Sequence, residues 1–160
     1  PIPSDVQGHP LRQTVADDTP VRQAGLFGMH GAQVNVTDGR YVYMRGPKDP
    51  SNQPLATYTV MPTHMRHPFG VEELRPSTLS GPFSFTKGCP LMRVPSRRPG
   101  VGQLNEEVAR TMLFDLEADP EQEHPITDPD VEARMVGHLV RLMKENDAPE
   151  EQFERLGLDA

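Results

Sequence analysis

The stretch 33-QVNVTDGRYVYMRG-46 leaves the backbone few choices. Val34 and Val36 alternate with polar residues on one side of Asp38-Gly39, and Tyr41 and Tyr43 do so on the other. Alternation of period two marks a strand with one buried face, and Asp-Gly between two such runs is a strong short-range hairpin signal. The pattern predicts strands over about 32–37 and 40–45. It places the turn at Asp38-Gly39, where glycine tolerates the positive φ that the turn needs.

Further elements follow by the same reasoning. The alternation in 55-LATYTVMP-62 predicts a third strand, ended by Pro62, and Met112–Asp115 a fourth. A single helical turn is expected near 71–76 and a short edge strand at 83–86. Residues 89–102 read as loop from their prolines and glycines, and 1–22 as an extended, proline-punctuated lead-in. In 127-TDPDVEARMVGHLVRLMKEND-147, Asp128 is placed to cap and Pro129 to open a helix. Val131, Met135, Val136, Leu139, Leu142 and Met143 form one apolar stripe along it. A second short helix starts at Pro149 and ends at Gly157, with Leu158 beyond it in a Schellman pattern. Strands first and helix last predict an α+β fold: a small antiparallel sheet of about four strands with a long C-terminal helix packed on one face.

Composition sets limits on partners and compartment. Apolar residues make up only 35% of the 160 residues, against 18 prolines and 13 glycines, so the core is expected to be small for the length. A net charge of −7 disfavours phosphate backbones, so no nucleic-acid partner is expected. No apolar run approaches the ~20 residues that span a bilayer. One cysteine excludes an intramolecular disulfide and, with no visible signal peptide, fits a cytoplasmic setting.

Candidate chemistry is sparse. Cys89 stands near Lys87 and Arg93 but has no nearby histidine to draw off its proton, so an inert loop thiol is expected. His64 and His67 in H-M-R-H lack the third and fourth ligands of a metal site. The acidic residues at 115–123 do not match a calcium loop. No metal site and no catalytic residue are expected in this chain. Binding residues often sit on loops, which brings forward His30 in a glycine-rich lead-in and Thr63, His64 and Arg66 in the 62–68 loop.

Three stretches taken together carry a resemblance: 33-QVNVTDGRYVYMRGP-47, 111-TMLFDLEADPEQEHPI-126 and 146-NDAPEEQFERLGL-158. The middle one resembles the L-(Y/F)-D-L-x-x-D-P-x-E segment of the C-terminal subdomain of the sulfatase family, in the alkaline-phosphatase-like superfamily. The lead-in 5-DVQGHPL-11 is similar to the segment that closes the catalytic domain, with His9-Pro10 in place of its serine. The resemblance implies that 1–22 is the tail of a missing catalytic domain and 23–160 the sulfatase C-terminal subdomain. It implies a full enzyme that hydrolyses sulfuric esters with Ca2+ and a formylglycine, neither held by this chain. Cys89-Pro90-Leu91-Met92-Arg93 only mimics the family's C-x-P-x-R, because the proline falls one place early and no Thr-Gly pair follows.

On this reading the chain supports the catalytic domain and lines the pocket for a sulfated small molecule or sugar. Positive groups and donors suit developing negative charge, which nominates His30, Thr63, His64, Arg66 and Lys87 for substrate binding. An apolar docking face is expected, through which the isolated chain would self-associate. The alternative is a stand-alone binding or interaction module that reuses the subdomain.

Overall fold

Residue 6 and residues 8–96 and 109–159 are described in a computed structural model of the chain. The hairpin forms as β2 (Val34–Thr37) and β3 (Tyr41–Arg45), with Val36 opposite Tyr43 and Thr37 opposite Val42. The turn lies one place later than expected, because Asp38 N–H donates to Tyr41 O at 3.3 Å and leaves Gly39-Arg40 as the two-residue loop. The Asp38 carboxylate causes the shift by accepting from the amides of Arg40 (3.0 Å) and Tyr41 (2.7 Å). Only Gly39 takes a positive φ, +96°, the position a type II′ turn reserves for glycine.

Two further strands complete an antiparallel sheet in the order β1-β2-β3-β7, with β1 at Gly25–Gly28 and β7 at Met112–Asp115. Leu26, Val36, Tyr43 and Leu113 stand in register across it. Helix α3 (Pro129–Glu145) lies on that face and buries Met135, Leu139 and Met143 against it. Helix α4 (Glu150–Leu156) adds Phe153 and Leu156 to the same core. The expected α+β architecture is therefore present. Tyr43 keeps its hydroxyl inside by donating to Glu132 (3.0 Å) and accepting from Arg45 (3.1 Å).

Local chemistry fixes the helix ends. The Asp128 carboxylate accepts from the amides of Asp130 and Val131, as its capping position predicted. Asp128→Ala is expected to lower stability by about 1 kcal/mol in chemical denaturation. Gly157 ends α4 at φ +62°, with Leu158 N–H reaching Phe153 O at 2.9 Å and Gly157 N–H reaching Glu154 O at 3.1 Å. That pair of bonds is the Schellman arrangement read from the sequence.

A second sheet, in the order β4-β6-β5, is inserted between β3 and β7. It comprises β4 (Ala56–Thr59), β5 (Thr78–Ser80) and β6 (Leu91–Pro95), with a one-turn helix α2 at Val71–Leu74. Four expectations differ from the structure. The third strand belongs to this sheet, not the first, because its partner is β6. The stretch read as loop contains β6, the central strand: β4 and β5 pair with both its edges, and Pro95 sits at its end where an amide is least needed. The expected edge strand at 83–86 is a 3-10 turn, Ser84–Thr86, which turns Phe83 and Phe85 toward each other at 5.4 Å. The lead-in holds a short exposed helix α1, Arg12–Asp17, in the proline-free interval between Pro10 and Pro20. Residues 1–5, 7 and 97–102 of the lead-in and loop readings lie outside the described residues.

Candidate functional site

The nominated residues occupy three places. Thr63, His64 and Arg66 sit on the loop before α2, closed by a Thr63–Pro68 bridge and a bond from Phe69 N–H to Pro62 O at 3.3 Å. The His64 ring packs at a tilt against buried Phe69 (4.2 Å between centroids) and His67 (4.6 Å), and its Nε2 meets Glu73 Oε1 at 2.9 Å. Glu73 in turn accepts the Gly70 amide at 2.7 Å. That bond, then His64, holds its carboxyl below the usual range. His64 is thus oriented by a carboxylate and an aromatic face, while exposed Arg66 beside it forms no hydrogen bond or ion pair with the described residues.

His30 lies elsewhere, in the β1–β2 turn, with Nε2 3.4 Å from Thr57 Oγ1 on β4. Desolvation by the surrounding chain, then the charge of Arg155, lowers its pKa, so its ring is neutral at pH 7. A neutral imidazole offers a hydrogen bond rather than a charge to an anion. Lys87 adopts φ +54° at the end of the 3-10 turn. None of the five lines either of the concavities below. Cys89 is exposed, and its Sγ faces Pro90 O at 3.5 Å.

The larger concavity, about 800 Å³, lies between β4 and α4. Tyr58, Phe153, Leu158 and the carboxylates of Glu150, Glu151 and Glu154 line it. Arg93 on β6 stands opposite Tyr58 in the sheet and grips Glu151 Oε2 through Nε (2.9 Å) and Nη2. The Tyr58 hydroxyl shares hydrogen bonds with both, and burial, then the Glu151 charge, raises its pKa. Glu151 Oε1 is buried without a partner among the described residues. Tyr58, Arg93 and Glu151 are 35 and 58 positions apart in sequence (58 to 93, 93 to 151), so only the β4–β6 pairing and the α4 packing assemble them. No local motif signals the group.

A smaller, apolar concavity of about 230 Å³ lies along β1, lined by Leu26, Phe27, Gly28, Met29, Gln33 and Val34. Among the described residues no three His, Cys, Asp or Glu side chains converge as metal ligands.

The two aspartates of 113-LFDLEADP-120 organise successive turns. Asp115 pairs with Arg40 at 3.0 Å and accepts the Glu117 amide at 3.1 Å. Asp119 accepts the amides of Glu123 (3.2 Å) and His124 (2.8 Å). The Arg40 bond lowers the Asp115 pKa, and the His124 amide that of Asp119. For Asp38, burial acts upward but the Tyr41 amide and Arg134 outweigh it, and its pKa also falls. A carboxylate depressed in the folded state stabilises it above the unfolded value, and that contribution is lost as pH falls through the folded value. Stability is therefore expected to decline on acidification below about pH 4, the unfolded aspartate range. Asp115→Asn should flatten that decline in urea titrations run at stepped pH.

Comparison with protein-family models, with curated proteins and with solved structures finds no match to this chain.

Proposed function

We propose that the chain is the C-terminal part of a sulfatase-type hydrolase, which braces the catalytic domain and contributes rim residues to the pocket of a sulfated small molecule or sugar. The observation that carries this reading is spatial. The three stretches that resemble the family meet in one unit: β3 pairs with β7, and Arg45 at the end of β3 donates to Leu156 O (2.8 Å) and Gly157 O (3.1 Å) of the third stretch. Lys48 N–H adds a bond to Arg155 O at 2.8 Å.

A second feature supports it. The sheet face away from α3 carries Phe27, Met44 and Met112 in one register row, with Asn35 between Phe27 and Met44, and Val42 and Phe114 in another, beside Thr37. Phe27 is 46% and Met29 59% exposed at its margin. Such a margin suits a docked domain, and in its absence a second copy of the chain. The stand-alone module draws support from the self-contained core beneath α3.

The rim assignment is tested in the full gene product, assayed on sulfate esters. His64→Ala and Arg66→Ala are expected to raise KM several-fold, with thermal stability held for Arg66→Ala, whose side chain is exposed. An unchanged KM for both variants removes the rim assignment.

A further inference from the structure

The concavity between β4 and α4 has the wrong charge for a sulfate ester, and that mismatch points to a second ligand class. Its charged lining groups are all acidic: Glu150, Glu151 and Glu154. Arg93 neutralises Glu151 through Oε2 alone and leaves Oε1 buried without a partner among the described residues. Lys48 stands 3.8 Å from Glu154 in an open, weakly coupled pair. Tyr58 and Leu158 line it as well, while Phe153 is buried in the core. Phe83 extends the aromatic wall, its ring 5.2 Å from that of Tyr58.

Carboxylates complement a cation, ring faces attract it through their quadrupole, and apolar side chains cover an alkyl stem. The volume, about 800 Å³, falls within the roughly 300–1,000 Å³ of small-ligand sites. The net charge of −7 favours approach by cations and repels anions. We propose that this concavity binds an alkyl guanidinium or ammonium group, with Glu150 and Glu154 taking the charge and Tyr58 and Leu158 flanking the stem. The group is either a free amine or the Arg or Lys side chain of a peptide. The site stands apart from the sulfatase reading and from the His64 loop.

The test is an NMR titration of the isotope-labelled chain with three probes: agmatine, a blocked Ala-Arg-Ala peptide and a blocked Ala-Glu-Ala peptide. The expected result is a salt-sensitive shift of the Tyr58, Phe153 and Leu158 signals with both cationic probes and none with the anionic one. Tighter binding of agmatine assigns a free amine, and tighter binding of the arginine peptide a basic segment. The double substitution Glu150→Gln with Glu154→Gln, at exposed positions, should keep the amide spectrum and weaken binding by about tenfold. The proposal is overturned if neither cationic probe shifts these signals, if the anionic peptide shifts them equally, or if the double variant binds as the parent does.

Discussion

Arg155→Ala is expected to lower the stability of the folded chain by on the order of a few kcal/mol, because it strips the donors from oxygens that its guanidinium holds in the interior. Arg155 is only 1% exposed and has no carboxylate partner among the described residues. Its guanidinium is held by three neutral oxygens: Gln152 Oε1 (3.0 Å), Ala32 O (3.2 Å) and Asn52 Oδ1 (2.8 Å). Desolvation lowers its pKa. Asn52 passes the link on to Gly31 O at 2.7 Å. One side chain thus ties α4 to the β1–β2 turn and to the segment after β3. Alanine leaves those acceptors without donors, at about 1–3 kcal/mol for each that stays buried. It also removes a long, packed stem. Arg155→Lys keeps the charge and most of the stem but not the fork, so it should lose less than alanine and more than nothing. Urea denaturation of the two variants checks the order, and a loss under about 1 kcal/mol for alanine would reduce Arg155 to an ordinary hydrogen-bonding residue.

The second large effect is Leu139→Ala, expected to destabilise by roughly 2–5 kcal/mol through lost burial and the cavity left behind. Leu139 is fully buried at the centre of the face where α3 meets Val36 and Tyr43. It is flanked along the helix by Met135 and Met143, long flexible side chains able to close part of the gap. A value near the low end would show that they do. Thermal unfolding should show the loss, while Leu139→Met, which preserves volume, should stay within about 1.5 kcal/mol of the parent.

The elements legible in the sequence are those whose cause is local. Alternation around Asp38-Gly39 and the stripe from Val131 to Met143 each carry their own period, and Asp128 and Gly157 their own caps. The strand β6 carries none. Leu91 and Val94 are both buried although three positions apart, and Pro90 and Pro95 bracket the stretch. Its strand conformation comes from β4 on one edge and β5 on the other, a long-range cause. The same holds for the candidate sites. The loop that orients His64 is local, because Glu73 is nine residues away and Phe69 five. The group around Tyr58, Arg93 and Glu151 depends on sheet pairing and helix packing, so nothing short-range announces it.

The nucleophile and metal ligands that the proposed sulfatase would need lie outside this chain. The most direct measurement is the intact mass and N-terminal sequence of the native gene product. A sulfatase-type gene product would carry several hundred residues before Pro1, with C/S-x-P-x-R and a Thr-Gly pair after it. If the native product begins at or immediately before Pro1, the enzyme reading is contradicted, and the concavity beside Tyr58 and the loop around His64 become the sites of a binding module.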